Sequence, residues 1–390
     1  MIKREDGFSL VELMIAMVVF VFVIAAASQV FTGLLTQFKQ QSKIAETNIE
    51  GIVGLEILRQ DIDGAGYGLP WNLNGAGYTE IISEPATPWI DRDFNDGPPD
   101  NPARGTDVAG ASNPPGAFRS GNGDGLNGSD VLVIKAINVA RNDTCEKWTT
   151  LKAAPFTSPY NPREWTPSTE NLLSTDRVIV LRPGSSDANG RTLVVNGANF
   201  STTFSSVTSS PWPPTDPAEA RIVYGIKPAG TPASNPRMPF NRADFYVRIP
   251  ATMPQRCATG TGIFYKGTVN HDGGLLTELP LLDCVADMQV VYRRDTNDDG
   301  TIDNTTNDIS TLTARQIRDQ IKEVRVYILA HEGQMDPNYT YPTNPVVLPA
   351  APDPGAGLGS TFNFNTRGIT KWRNYRWKVY TLVVAPNNLK

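Results

Sequence analysis

Apolar residues dominate the first part of the chain. The stretch 13–27 holds no charged or polar residue, and no proline occurs before Pro70. Further along, apolar residues recur at helical spacing between charged ones. The pattern predicts one long helix over 8–63. Its ~56 residues at about 1.5 Å each would reach ~84 Å, and only ~20 of these residues are needed to span a bilayer. Three glycines are expected to loosen this helix: Gly33, Gly51 and Gly54.

The first half of the helix is predicted to lie in a membrane or in the core of a fibre, and the second half to pack on the rest of the chain. A secretory signal peptide is the alternative, because Ala25-Ala26-Ala27-Ser28 could imitate its cleavage site. Two observations favour an anchor. Glu12 stands at the head of the apolar run, where ordinary signal peptides carry no acid, and the helical pattern continues past Ser28.

The remainder of the chain, 64–390, is predicted to be one β-rich body. A short helix is expected over 313–321, capped by Thr311 or Thr313. Turn-forming residues dominate 64–129, which predicts a long exposed insertion. Together these elements predict an α+β fold, with a long N-terminal helix packed on a mainly antiparallel sheet that carries long loops. Strands are predicted over 131–137, 177–181, 192–195, 221–226, 245–249, 262–266, 285–292, 324–329 and 375–384.

Composition argues against several functions. The net charge is −5 and the pI is about 5.3, so a nucleic-acid partner is not expected. There are only two histidines, and the sequence has no nucleophile elbow, phosphate loop or zinc-protease motif, so we expect no enzyme. His331 beside Glu332 is interpreted as a surface histidine. The aromatic and basic run 371–378 could stack on DNA or sugars, but one buried face is commoner.

A run of oxygen-bearing side chains lies between two predicted strands. These side chains occupy positions one, three, five and nine of a calcium-binding loop of the EF-hand type. Gly300 is at position six, and the carbonyl of Thr301 would be a further ligand. Thr306 replaces the usual glutamate at position twelve, so the affinity for Ca²⁺ should be only about 10⁻⁴–10⁻³ M. The alternative is a polar turn between strands. The side-chain ligands would be Asp295, Asn297, Asp299 and Asp303.

The chain has three cysteines, and a body outside the cytoplasm can form a disulfide. Cys257 and Cys284 flank a predicted hairpin at 262–272 and are the preferred pair, which would leave Cys145 free. Three single pairings are possible, and the sequence alone does not choose among them or exclude that none forms.

The segment Gly7-Phe8-Ser9-Leu10-Val11-Glu12-Leu13-Met14-Ile15 resembles the prepilin signature of type IV pilins and type II secretion pseudopilins. The resemblance implies that a prepilin peptidase cuts between Gly7 and Phe8 and that Phe8 is N-methylated. The leader 1–7 would be cytoplasmic and the body would lie outside the inner membrane of a Gram-negative bacterium. Glu12 would meet the amine of Phe8, in its own chain or a neighbour, because each charge is costly alone in hydrocarbon.

Several body segments resemble minor pilins of the PilW type and pseudopilins of the GspJ type. The resemblance implies a minor pilin at or near the tip of a type IV pilus, where it primes assembly with other minor pilins and the major pilin and could present a tip adhesin. A GspJ-type pseudopilin, or a membrane-anchored module for adhesion or DNA uptake, is the alternative. The similar segments are 58–62, 65–68, 128–132, 245–247, 257–265, 281–290 and 321–327, whereas 70–120 and 146–220 match no pattern.

Overall fold

The computed structural model describes residues 9–81, 94–96, 114–152, 162–184, 190–216, 218–230 and 234–389. Over these ranges the predicted α+β fold is confirmed, because one long N-terminal helix leads into a body of antiparallel strands. The long helix is α1, Leu10–Asp63, and the short helix is α2, Ala314–Gln320. Thr313 caps α2 with its side chain, as expected.

Helix α1 has an exposed half and a packed half. Every residue from 10 to 39 is exposed, whereas buried or half-buried positions recur every three or four residues in the second half. This spacing places them on one face of the helix, which is the face that meets the body. The contact stripe, as we name it, consists of Gln40, Ile44, Asn48, Gly51, Leu55, Leu58 and Ile62.

The expected loosening of α1 at its glycines is wrong, because the helix is continuous. Gly51 and Gly54 instead allow the helix backbone to approach the sheet. A Cβ atom at Gly54 would overlap the carbonyl oxygen of Leu281, whereas a Cβ atom at Gly33 would have nothing within 4 Å. Glycine is therefore required at position 54 by the close packing of two backbones.

The body contains fifteen strands among the described residues. They are β1 Phe118–Gly121, β2 Val131–Ala136, β3 Trp148–Lys152, β4 Arg177–Arg182, β5 Thr192–Leu193, β6 Thr202–Thr203, β7 Ala220–Lys227, β8 Asn241–Arg248, β9 Gly262–Val269, β10 Leu276–Arg294, β11 Asn304–Thr306, β12 Ile321–Glu332, β13 Val346–Leu348, β14 Ser360–Phe362 and β15 Arg376–Val384.

The main sheet has the strand order β1-β2-β8-β9-β10-β12-β15, with β11 paired to the end of β10. All of its pairings are antiparallel. Both faces are covered. Val326 and Ile328 face the core beneath α1, and Tyr327 and Leu329 face a second cluster formed with the chain after β12. The main sheet is thus the middle layer of three.

A second sheet has the order β3-β7-β4-β5, with β6 also paired to β4. One side of it joins the main core through Ile179 and Ile226. The other side has its own cluster, which includes Val180, Val223 and Trp212. A smaller sheet of β13 and β14 contributes to the layer that covers the far face of the main sheet.

The predicted exposed insertion at 64–129 is wrong for the described residues of that stretch. Leu69, Leu73, Tyr78 and Phe94 are buried in the main core. The reason is that turn-forming residues determine the path of the chain but do not prevent the apolar residues between them from packing. This stretch also supplies buried acids, described below.

Candidate assembly and anchoring sites

Helix α1 begins with a capping box. The backbone N–H of Ser9 donates to Glu12 Oε2 at 2.9 Å, and the Ser9 side chain accepts the N–H of Val11 at 3.3 Å. The predicted processing residues Gly7 and Phe8 lie outside the described residues, so the pairing of Glu12 with Phe8 stays a prediction. The sequence signal for this cap is the pattern Ser-x-x-Glu, formed by Ser9 and Glu12.

The exposed half of α1 is long and apolar enough to cross a membrane. Its best 18-residue window has a mean hydropathy of 2.8, and none of that window is buried in the body. Apolar side chains exposed over this length need another apolar environment, either lipid or the helices of other subunits. Examples are Met14, Phe20 and Phe22, which are 60%, 64% and 71% exposed.

The end of α1 is fixed to the body by buried charges. Lys266 Nζ on β9 lies 2.6 Å from Asp61 Oδ2, and Arg141 Nη2 lies 2.8 Å from Asp61 Oδ1. Burial lowers the pKa of Lys266, although the charge of Asp61 opposes this effect. Asp61 is one turn from Leu58, which is fully buried, so the last turns of α1 belong to the core of the body.

The predicted calcium loop lies between β10 and β11 and is held together by its own carboxylates. The two oxygens of Asp295 accept the backbone N–H groups of Asp299 at 3.3 Å and Gly300 at 2.9 Å. Asp303 accepts the N–H and the hydroxyl of Thr296. Bonds of the Asx-turn type are also present, because Asn297 Oδ1 accepts the N–H of Asp299 at 3.3 Å and Asp299 Oδ1 accepts the N–H of Thr301 at 2.7 Å.

The same loop partly fits a cation. Each carboxylate retains lone pairs, since it uses only one or two of about four. However, Lys322 Nζ lies 3.8 Å from Asp295 Oδ2 and 3.7 Å from Asp298 Oδ1, where its charge competes with a metal ion. Among the described residues the loop acids are not gathered into a compact ligand group. Calcium binding therefore stays a prediction.

Cys257 and Cys284 form a disulfide, the pairing preferred in the sequence analysis, and Cys145 is a buried free cysteine. Burial raises the pKa of the Cys145 thiol to about 11. The expectation of a surface His331 is wrong: this residue on β12 is 0% exposed, because alternation along the strand turns it towards the second cluster. The imidazole packs beside Tyr375.

The aromatic and basic run near the C-terminus does not offer a stacking platform. Trp372, Tyr375 and Trp377 are all less than a tenth exposed and lie in the cluster on the far face of the main sheet. The Trp377 Nε1–H donates to the carbonyl of Trp372 at 2.8 Å. These rings therefore stabilise the body instead of facing a ligand.

A buried ion cluster on the main sheet was not predicted from the sequence. Lys135 Nζ on β2 lies 2.8 Å from Glu80 and 2.7 Å from Asp96 Oδ2. Arg119 on β1 pairs with Asp96 at 2.7 Å. The available signal was a charged residue inside an otherwise apolar strand, as in Val-Leu-Val-Ile-Lys-Ala. The cluster is completed by Arg242 and Asp244 on β8, which are fully buried and paired at 2.7 Å, with Arg242 also 2.9 Å from Glu80.

Residues 2–28 match the prokaryotic N-terminal methylation motif. No curated protein sequence matches the chain. Among solved structures, part of this chain is similar to the type IV-like pilin TTHA1219 from Thermus thermophilus. The match covers 39% of this chain and 68% of that chain, at 12% identity and a TM-score of 0.21. A TM-score this low supports no conclusion.

The matched motif covers the start of α1, including the capping box. It implies processing by a prepilin peptidase and a membrane-anchored prepilin, and pilin-like proteins are typically structural and not enzymes. The motif stands at the head of a long apolar helix that leads into an antiparallel body, an arrangement similar to that of type IV pilin-like proteins.

Proposed function

We propose that this protein is a minor pilin of the PilW type, incorporated at or near the tip of a type IV pilus. There it primes assembly together with other minor pilins and the major pilin. The observation that carries the proposal is the exposed half of α1. From Leu13 to Ala27 this half presents only apolar side chains, headed by a single acid, Glu12, and the helix continues without a kink into the packed half.

The size of the body supports a place near the tip. Two sheets and a further covering layer follow α1. Subunits that repeat head to tail in a helical filament must fit between their neighbours. A large body is accommodated most easily where no further subunit stacks above it. The same exposed position would suit contact with a tip adhesin.

A glutamate-to-glutamine change separates two roles of Glu12. Glu12→Gln keeps an oxygen that can cap Ser9 but removes the charge, whereas Glu12→Ala removes both. If the charge pairs with the amine of Phe8 in a neighbouring subunit, both variants should reach the membrane and be depleted from sheared fibres about tenfold or more. The measurement is immunoblotting of the fibre and membrane fractions against the wild type.

Glu12→Gln in fibres at the wild-type level would contradict the charge-pairing role and leave only the cap. If neither the wild type nor the variants are recovered in fibres while surface binding persists, the chain is better described as an anchored binding module. Deletion of the gene separates the pilus from a secretion system: the proposal expects loss of surface pili with intact protein secretion. The reverse result would favour a GspJ-type pseudopilin.

A further inference from the structure

Two adjoining cavities lie where β3 begins, at the edge of the second sheet. The first has a volume of about 190 Å³ and the second a volume of about 290 Å³. Trp148 and Glu146 line both of them, and we name the two cavities together the indole groove. The first cavity is also lined by Lys147, Trp165, Thr166 and Glu170. The second is also lined by Gln60, Asp61, Tyr67, Asn138 and Arg141. The assembly role proposed above makes no use of this groove.

The strand pairing leaves Trp148 at the surface. Trp148 lies directly opposite Tyr224 of β7, so their side chains share one face of the second sheet. The ring of Tyr224 meets Tyr67 edge to face at 5.4 Å, whereas Trp148, on the strand at the end of the sheet order, is 37% exposed. An indole combines a large apolar ring with a polar N–H, and such rings are characteristic linings of ligand-binding cavities.

A second indole is held in place beside the first. Trp165 Nε1–H donates to the carbonyl of Trp148 at 2.7 Å, and the two ring centroids are 5.0 Å apart at an interplanar angle of 61°. The Asn171 side chain accepts the backbone N–H of Trp165 at 2.7 Å and donates to its carbonyl at 3.1 Å. The guanidinium of Arg163 lies 4.1 Å from the centroid of the Trp165 ring. The Trp165 ring therefore loses little freedom when a ligand binds, which favours affinity.

The lining of the indole groove combines aromatic rings with polar groups. Among the described residues that line it, none has an aliphatic side chain such as leucine or valine. The carboxylates of Glu146 and Glu170 make no hydrogen bond or ion pair with another described residue, so they are available to a ligand. Lys147 and Thr166 supply hydrogen-bond donors in the same cavity. This lining suits a molecule with an apolar face and a rim of hydroxyl groups, and it does not suit a lipid chain or an apolar peptide.

We propose that the indole groove binds a neutral oligosaccharide. A pyranose ring has faces made of C–H groups and hydroxyl groups around its rim. One face packs on the ring of Trp148, while hydroxyl groups donate to Glu146 and Glu170 and accept from Lys147. Each cavity is smaller than the ~300–1,000 Å³ of a pocket for a drug-sized ligand. Each therefore suits one sugar ring, with Trp148 and Glu146 at the linkage between two rings.

The second cavity contributes fewer available groups than the first. Arg141 Nη2 lies 2.8 Å from Asp61 Oδ1, and Arg141 Nη1 donates to Gln60 Oε1 at 3.1 Å. These three side chains therefore fix the end of α1 to the body. The Asn138 side chain makes no hydrogen bond with another described residue and can meet a sugar hydroxyl. The groove belongs to the body, so the proposal does not rest on the tip location.

A cation such as a quaternary ammonium group is the competing ligand, because tryptophan rings and carboxylates suit it as well. Two observations oppose it. The guanidinium of Arg163 already stacks on the Trp165 ring. In addition, Lys147 lines the first cavity and Arg141 the second, where their charges repel a cation.

Substitutions of Trp148 test the stacking role. The full chain, in a detergent without a sugar head group, is applied to an array of immobilised neutral oligosaccharides. Isothermal titration calorimetry then measures the affinity for the oligosaccharide retained most strongly. We expect Trp148→Ala to weaken this affinity about tenfold or more, because the stacking surface is lost, and Trp148→Phe to stay within about threefold of the wild type. Leu173→Ala is the matched control and should bind like the wild type, since Leu173 is apolar and 63% exposed but lines neither cavity.

Glu146→Gln keeps the size of the side chain and removes its charge. We expect the affinity for the oligosaccharide to fall about fivefold, because an uncharged acceptor forms a weaker hydrogen bond, and choline to bind to none of the proteins. A wild-type protein that retains no oligosaccharide would overturn the proposal, as would wild-type affinity in Trp148→Ala. Saturable choline binding that Glu146→Gln abolishes would assign the groove to a cation instead. If circular dichroism shows that Trp148→Ala does not fold, wild-type affinity in Glu146→Gln alone overturns the proposal.

Discussion

Charged residues in the interior of this body pair with one another across distant segments of the chain. In the buried ion cluster, burial alone would raise the pKa of Asp96, but the charges of Arg119 and Lys135 lower it well below its ordinary value. Burial lowers the pKa of Lys135. Ion pairs of this kind add little net stability because desolvation offsets their attraction, yet they are costly to break.

Replacing Lys135 with an uncharged residue should therefore strongly destabilise the body. Lys135→Met leaves Glu80 and Asp96 short of a buried counter-charge, and we expect the free energy of unfolding to fall by about 3–5 kcal/mol. Chemical denaturation of the full chain in mild detergent measures the loss. Lys43→Met is the matched control, because Lys43 pairs with Glu46 on an exposed face of α1 and should matter little. Similar losses for both variants would contradict the importance of burial.

The calcium prediction also rests on individual residues. Wild-type protein should bind Ca²⁺ with a dissociation constant of about 10⁻⁴–10⁻³ M, and Asp299→Ala should lose saturable binding. Lys322→Met should bind more tightly, because it removes a competing positive charge beside Asp295. Isothermal titration calorimetry measures all three proteins, with Asp124→Ala as the control in a separate glycine-rich turn. Identical heats for wild type and Asp299→Ala would rule out this site.

At the scale of elements, strongly periodic stretches were predictable from sequence, whereas most of the shortest strands were not, β5 being an exception. α1, β2 and β15 follow from long apolar or alternating patterns. β13 and β14 have only three residues each and depend on contacts distant in sequence, so local patterning carries little signal for them. The close approach at Gly54 was also hidden, because its partner Leu281 is more than two hundred residues away.

The packing of α1 on β10 gives a prediction at this scale. Gly54→Ala places a methyl group against the backbone of Leu281, and we expect the free energy of unfolding to fall by about 1–3 kcal/mol through overpacking. Gly33→Ala is the matched control, since open space surrounds that position and no clash arises. Thermal unfolding in detergent followed by circular dichroism compares them. Equal melting temperatures would show that the helix shifts away from the sheet without cost.

At the scale of the whole molecule, buried acids and buried histidines should act in opposite directions on the dependence of stability on pH. Burial raises the pKa of Asp130 to about 7, although the backbone hydrogen bonds from Val290 and Gly123 act to lower it. Burial also raises the pKa of Asp287 to about 6. Both values exceed the ordinary value near 4, so the folded state holds these protons more tightly than the unfolded state does. The resulting stability is full below pH ~4 and is lost as pH rises to ~7.

Between pH 5 and 8 the two acids should lower the free energy of unfolding by on the order of 4 kcal/mol, with about two thirds of this from Asp130. Burial lowers the pKa values of His271 and His331 to about 3, so these histidines should raise the free energy of unfolding by a similar amount over the same range, and the net change should be small. Asp130→Asn should uncover a rise in the free energy of unfolding by on the order of 3 kcal/mol between pH 5 and 8, because asparagine does not titrate and the histidines then outweigh Asp287. Denaturation curves at pH 5, 6, 7 and 8 for both proteins test it. A slope that Asp130→Asn leaves unchanged would contradict the assignment to this carboxyl.

The whole-molecule arrangement was the least predictable level. Sequence patterns predicted a helix on an antiparallel sheet but not the second sheet or the layer on the far face. Val379 and Tyr380 are neighbours on β15 that pack into different clusters. A pattern of alternation cannot show whether its second face meets solvent or another layer. The buried Glu80 and Asp96 were likewise unpredictable, because they are isolated acids in turn-rich sequence whose partners lie on distant strands.

The contact stripe has a mechanical consequence. A pilus subunit is loaded along its helix when the fibre is pulled, and a body joined only through the peptide bond at Gly64 would bear that load at one point. The stripe instead runs from Gln40 to Ile62, along the helix that lies against β10, β12 and β15 of the main sheet. Tension along α1 would thus be spread as shear over about six turns and resisted by many contacts at once. The body should yield to force only when the whole stripe slides.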